Sequence, residues 1–394
     1  MKKKFLLVLV IALVASTMAF ASGDKEEKNG VVSSYKLGFI GPLTGDNANY
    51  GIMSRDSAKL AVKHFNANGG INGTPIEVIA EDSEGTVEKG LFAIEKLANT
   101  DKITGLIGPV FTGTTFAVGA RCQNEGIPLI TGSATHADIT NIGDMIFRTV
   151  VSDGLQGEVA GHYFYEVLGY RSIAVLYAKN DYSQGLYKSM SASFEALGGT
   201  IIDAESFMVG DKDLKTQLTK IKQVKPEAIY IPNYTVEMAQ ILEQASQLGV
   251  DVPFLSCDGF SDAKIYKLAG DFTDGVVYIA PAQVEASTAY VEFAAAYEAS
   301  YGIAPDSFAT NAYDATNLMM AALTRCVEKG DVSRKALRDE IATTKDYVGV
   351  SGLVNFAENG DLEAFQGVYK VDGTTPVYQG AFTVVDGKIQ KITK

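Results

Sequence analysis

The chain has 394 residues, 46% of them hydrophobic and 21% charged, with 47 acids against 34 Lys plus Arg and a net charge of −13. That length exceeds what one core usually organises, so two domains are expected. The acidity excludes nucleic acid and direct insertion into an anionic membrane, since both reward positive patches.

At the N-terminus Lys2, Lys3 and Lys4 precede Phe5–Ala15, an apolar run too short to span a bilayer. Ala19-Phe20-Ala21 then offers small residues at the −3 and −1 positions of a signal-peptidase site. Residues 1–21 are read as a secretory signal peptide, with a retained anchor as the alternative. Ser22–Gly30 is polar and charged, so 22–34 reads as a disordered leader. No Cys precedes Cys122, and lipid attachment is not expected. Cleavage after Ala21 would leave 373 of the 394 residues and, with three Lys lost and no acid, take the charge from −13 to −16.

The folded part opens with an apolar strand, Lys36–Ile40, closed by Gly41-Pro42-Leu43-Thr44-Gly45. A helix follows in which Ala58, Ala61, Val62 and Phe65 share one face, stopped by Asn68-Gly69-Gly70. Ile76–Ala80 is the next strand. Helix Val87–Asn99, strand Ile103–Ile107, a helix around Thr114–Gln123 and strand Pro128–Thr131 continue the series as far as Phe147-Arg148-Thr149. A second series of the same rhythm holds strands Ser172–Tyr177, Thr200–Glu205, Ala228–Ile231 and Pro253–Ser256, with helices Gln184–Leu197, Leu214–Val224 and Val236–Leu248 between them. Strand Gly275–Ile279 and Ala-rich helices Thr288–Tyr301 and Ala309–Val327 come next. The tail from Gly352 is strand-like, with turns at Asn359-Gly360-Asp361, Asp372-Gly373 and Asp386-Gly387. Strand–helix alternation implies parallel sheets flanked by helices, in two lobes.

Ligands of open parallel sheets bind beyond the carboxyl ends of the strands. In the first series those ends carry Gly41, Gly108 with Thr112, and Gly132 with Ser133 and Thr135. In the second they carry Asp181-Tyr182, Asn233-Tyr234 and Asp258. Thr112 lies just before a helix whose first amides lack intrahelical partners, so hydroxyl and amides together suit a carboxylate. A plain helix cap is the alternative there, and equally for Ser133 and Thr135. A ligand carrying a carboxylate beside an ammonium would fit between the hydroxyl-rich corners and the aromatic, acidic ones.

The wording GFIGPLTGDNANYG followed by FNANGGINGTPIEVIAEDSEG resembles the leucine/isoleucine/valine-binding family of periplasmic substrate-binding proteins. The resemblance runs from about Tyr35 to Lys394 and implies the two-lobed type I periplasmic-binding-protein fold, with a ligand cleft between lobes. It sets lobe 1 at 35–150 plus about 280–350 and lobe 2 at 151–279 plus about 351–394, each with a mostly parallel sheet. GPVFTGTTF and ITGSATHADI are similar to the segments that hold the ligand's α-carboxylate and ammonium, which assigns Thr112, Ser133 and Thr135. YAKNDYSQGL and IYIPNYTVEM assign Tyr182 and Tyr234, and FLSCDGF assigns Asp258 as partner of the ammonium. Leucine-type members carry Glu there, so the acid here is one methylene shorter. Tyr50 and Phe111 are expected to wall the side-chain pocket.

What the resemblance implies is a monomeric, periplasmic protein that binds a small amino acid, branched-chain or otherwise aliphatic, by hinge closure. It would then deliver that ligand to the membrane permease of an ABC transporter. A ligand sensor of the same fold is one alternative. A periplasmic amide hydrolase is another, and it would need a nucleophile and base. His64, His136 and His162 are the only histidines, none beside a nucleophile motif, and no GxSxG, P-loop or helix-opening GxGxxG is present. No cofactor and no metal is expected. Cys122, Cys257 and Cys326 read as small buried hydrophobes, with a disulfide between two of them as the alternative in an oxidising compartment.

Overall fold

Tyr35–Gly41 is the strand from which the first sheet grows in both directions. In a computed structural model, which describes residues 33–282 and 287–392, it pairs in parallel with Ile76–Asp82 on one side and Gly105–Ile107 on the other. Leu129–Thr131 and Ile146–Arg148 complete five strands, all parallel. The chain divides into Met1–Ser34 and Tyr35–Lys394, and the second unit contains both sheets. The expected signal peptide, its cleavage site and most of the leader lie outside the described residues.

The second sheet has eight strands. Five are parallel, in the order Thr200–Phe207, Ser172–Ala178, Ala228–Tyr230, Phe254–Ser256 and Val277–Pro281. Gln366–Asp372, Thr375–Val385 and Lys388–Ile392 extend it as an antiparallel meander. The last hairpin turns on Asp386 and Gly387, at φ 50° and 69°, positive values that an Asp-Gly pair tolerates.

Each sheet is covered by apolar helix faces. Phe39, Ile107, Ile130, Met319, Met320 and Leu323 form one side of the first core, where the Ser307–Lys329 helix packs along Ala48–Ala67. Leu176, Ile229, Met238 and Leu242 sit on one side of the second sheet, with Val175, Tyr230, Phe194 and Ile279 on the other. The tail departs from the sequence expectation. Val354, Phe356 and Leu362 pack in the first core, so the chain joins the second sheet at Gln366 rather than near 351. Their alternating apolar pattern reads as strand, but the surface it covers belongs to the other lobe.

The chain thus passes between the lobes after Arg148, after Pro281 and ahead of Gln366. Arg148 is completely buried at the first crossing. Its Nη1 donates to the carbonyls of Thr135 (2.9 Å) and His136 (2.8 Å), and its Nη2 lies 2.6 Å from Asp361 Oδ1. Gly360, at φ 84°, lets that turn come close; a Cβ there would stand 2.5 Å from the Ile146 carbonyl. The turn that carries Asp361 is therefore pinned to the lobe crossing and to the Thr135 corner.

Among the described residues no helix is long and apolar enough to cross a membrane, and no cluster of His, Cys, Asp or Glu is placed to hold a metal. Cys122, Cys257 and Cys326 are buried and free.

Candidate ligand-binding site

In both sheets the strand order reverses beside a central strand, between Tyr35–Gly41 and Gly105–Ile107 in one and between Ser172–Ala178 and Ala228–Tyr230 in the other. Loops leaving the strands at these switch points splay apart and open a crevice. The two crevices face each other here. Between them lies a small cavity of about 10 Å³, lined by Tyr50, Val110, Thr112, Ser133, Tyr182, Tyr234, Asp258, Gly259 and Phe308. A larger cleft of about 470 Å³ opens beside it and shares Tyr182 and Tyr234.

Thr112 is the first residue of the Thr112–Glu125 helix, and the preceding Phe111 supplies no side-chain cap. The early amides of that helix are therefore free of a cap, with the buried Thr112 hydroxyl among them. Ser133 follows Leu129–Thr131, where Thr131 Oγ1 accepts from the amides of Ser133 (3.3 Å) and Ala134 (3.0 Å) and so shapes the second corner.

Aromatic rings form one wall. Tyr182 and Tyr234 stack at 4.7 Å and 14°, Phe111 lies against the far face of this pair at 4.4 Å from Tyr234, and Tyr50 meets Phe308 edge-on at 4.8 Å. Tyr50 reaches the cavity because the Ala48–Ala67 helix starts hard against the first strand's exit. A Cβ on Gly51 would lie 2.0 Å from the Pro42 carbonyl, so only glycine permits that approach. Burial pushes the Tyr50, Tyr182 and Tyr234 phenols well above their ordinary range, so all three keep their protons.

Opposite the hydroxyl corners sits the acid. Asp258 is 3% exposed; its Oδ1 accepts from the Tyr182 hydroxyl at 2.7 Å and from Gln156 Nε2 at 3.0 Å. Gln156 Oε1 in turn accepts from the Asp258 amide at 2.9 Å, which fixes the shorter side chain in place. A second carboxylate, Asp153, is completely buried nearby, and Gln156 Nε2 is 3.5 Å from its Oδ1. Burial raises the pKa of both acids; the neighbouring Asp258 charge raises Asp153 further, while the Tyr182 and Gln156 donors restrain Asp258. Thr135 Oγ1 and Asp153 Oδ2 lie close enough to interact but make no well-formed hydrogen bond with any described residue. Two buried acids with unused oxygen and hydroxyl valence form a place for a cation that brings its own donors.

Six of the eight expected residues, Tyr50, Thr112, Ser133, Tyr182, Tyr234 and Asp258, line the cavity. Two do not. Phe111 faces the open cleft on the far side of Tyr234, and its neighbour Val110 takes the place in the wall. Thr135 lies behind the cavity against Asp153, whose amide donates to the Thr135 carbonyl at 2.7 Å. Asp153, Gln156, Val110 and Phe308 escaped the sequence reading. The three histidines stand elsewhere: His64 bonds Tyr313, His162 bonds Glu166, and His136 packs on Phe116 with its pKa lowered by burial.

The sequence pattern of the family described as Periplasmic binding protein matches residues 34–374. The leucine-, isoleucine-, valine-, threonine-, and alanine-binding protein of Pseudomonas aeruginosa is 30% identical over 331 residues, covering 84% of this chain and 87% of its own. The Leu/Ile/Val-binding protein of Escherichia coli is 26% identical over 366 residues, covering 93% and 95%. Among solved structures, the branched-chain amino acid transporter substrate binding protein LivJ of Streptococcus pneumoniae, in complex with isoleucine, is 29% identical. It covers 91% of this chain and 100% of its own, with a TM-score of 0.81. Two lobes of parallel sheet, facing switch points and a match along nearly the whole folded chain lead to one conclusion: the chain belongs to the periplasmic binding protein family, in its type I fold.

Proposed function

We propose that the protein binds a branched-chain or similar aliphatic L-amino acid between its lobes and hands it, unchanged, to the permease of an ABC transporter. The single observation that carries this reading is the polarity of the cavity. An uncapped helix start with Thr112 stands on one side, the Asp258–Asp153 pair stands on the other, and an aromatic wall lies between. The α-carboxylate would take the Thr112 hydroxyl and helix amides. The ammonium would lie against Asp258, and the aliphatic side chain against Tyr50, Val110, Tyr234 and Phe308. The names of the relatives, which specify leucine, isoleucine and valine, support the same ligand class.

A cavity of about 10 Å³ holds roughly one water molecule, so an amino acid enters only when the lobes part. Binding is therefore hinge opening, capture and closure, and the closed form is what a membrane partner would recognise. The signal peptide at 1–21 would direct the mature protein to the periplasm. A thermal-shift screen of ligand-stripped protein against L-amino acids tests the reading. Leucine, isoleucine or valine at a hundredfold excess over Kd should stabilise the fold by about 2.7 kcal/mol, and the ligand should be recovered intact. Absence of stabilisation by every aliphatic amino acid, or consumption of the ligand, contradicts it.

A further inference from the structure

The Thr235–Gln247 helix begins without a cap of its own: Tyr234 stands at its N-cap position and gives it no side-chain hydrogen bond. Its first amides are satisfied from the opposite lobe. Thr235 N donates to the Tyr50 hydroxyl at 3.1 Å and Val236 N to Asn47 Oδ1 at 3.4 Å. Asn47 is itself the N-cap residue of Ala48–Ala67 but makes no side-chain bond to that helix. Its Nδ2 instead reaches Glu237 Oε2 at 3.3 Å, in the first turn of the same foreign helix.

A buried anchor completes the arrangement. Asp262 Oδ2 accepts from Thr235 Oγ1 at 2.7 Å, and its Oδ1 accepts from Asn49 Nδ2, across the lobes, at 2.6 Å. The Tyr50 hydroxyl also lies 2.6 Å from Thr235 Oγ1 and 2.9 Å from the Gly259 carbonyl. With the lobes together Asp262 is 1% exposed, and parting them takes the Asn49 bond from its Oδ1, which keeps only the Lys264 amide at 2.9 Å. Lys264 Nζ, donating to the Asp46 carbonyl at 2.5 Å, ties down the same loop. Asn47, Asn49 and Asp262 are absent from the cavity lining.

We infer that Asn47 and Asn49 are affinity-setting residues that never touch the ligand: they cap and anchor the Thr235–Gln247 helix across the cleft, and closure is what creates that cap. Each bond exists only when the lobes meet, so its free energy belongs to the closing step. Ligand that binds the closed form gains affinity by the same factor whatever its side chain.

The inference rests on the proposed ligand only for its affinity arm; the lobe-distance arm needs no ligand. Asn47→Ala, Asn49→Ala and the double variant are compared with the parent. Resonance energy transfer is read between dyes at Lys63→Cys and Gln223→Cys, exposed positions in the two lobes of a chain whose native thiols are buried. In ligand-free protein each variant should move the distribution toward the open form. Affinity for L-leucine, L-isoleucine and L-valine should fall by one common factor, roughly three- to thirtyfold for a lost cap, with faster dissociation. Tyr50→Phe should shift the lobe distance in the same direction. Unchanged lobe distances overturn the inference, as does a loss that differs between the three ligands, which would indicate direct contact. If none of the three amino acids binds while the lobe distances still shift, the ligand assignment fails and the capping inference stands.

Discussion

Replacing Asp258 by Asn separates a charge partner of the ligand from a piece of scaffold. The carboxylate is almost sealed from solvent, holds the Tyr182 hydroxyl at 2.7 Å and Gln156 at 3.0 Å through one oxygen, and has its pKa raised by burial. Asn keeps the shape and an acceptor oxygen but removes the charge. Taking one partner from a buried, hydrogen-bonded charge pair costs about 2–5 kcal/mol, so L-leucine should bind about thirtyfold to several thousandfold more weakly. The ligand-free fold should lose nothing, because the substitution removes a carboxylate that burial disfavours. Calorimetry with L-leucine and with 4-methylpentanoate, which lacks the amine, measures both terms. The amine-free acid should bind the parent poorly and lose little more in Asp258→Asn. A loss for L-leucine under about threefold, or an equal loss for both compounds, refutes the ammonium assignment.

Two further outcomes derive from the same geometry. Both acids have folded pKa values above the ordinary 3.8, so the ionised pair is the disfavoured form. Their contribution to ligand-free stability is present at low pH and is lost as pH rises through the folded values. A ligand ammonium reverses the preference and expels a proton, so L-leucine affinity should fall by up to about tenfold per pH unit as pH drops below the raised values; calorimetry in that range in buffers of different ionisation enthalpy should record proton release, and uptake would contradict the arrangement. Thr112→Ala should weaken binding by about 1.5–3 kcal/mol with little loss of melting temperature, since Thr112 only begins its helix and lines the cavity; normal binding by Thr112→Ala would reduce that residue to a helix start.

The chemistry of parallel strands explains why much of the site was legible in the sequence. A buried parallel strand is a continuous apolar run, and its carboxyl end is where the loop residues of an α/β fold gather. Thr112, Ser133, Tyr182, Tyr234 and Asp258 were therefore visible as strand-end residues. The Asp-Gly hairpin turn was visible for a similarly local reason. Asp153 and Gln156 were not, because their helix lies past the lobe crossing that follows Ile146–Arg148, a three-residue strand the sequence pattern does not mark. The one signal was two polar side chains three residues apart on a helix otherwise built largely from small and apolar residues. Val110 and Phe111 are consecutive, and the direction each faces depends on how the chain leaves Gly108-Pro109, which pattern alone does not fix. Phe308 reaches the cavity from a helix nearly two hundred residues downstream of Val110. The segment at Val354 and Phe356 has strand-like alternation, yet its partner surface is set by tertiary packing on the first lobe.

The most direct test of the central claim is a calorimetric titration of ligand-stripped mature protein with L-leucine, L-isoleucine and L-valine. One molecule should bind per chain, with a negative heat-capacity change from burying the aliphatic side chain against Tyr50, Tyr234 and Phe308, and the recovered amino acid should be chemically unchanged. No saturable heat at any temperature for all three amino acids, or saturable binding that is indifferent to removal of the ligand's amine, would contradict the account.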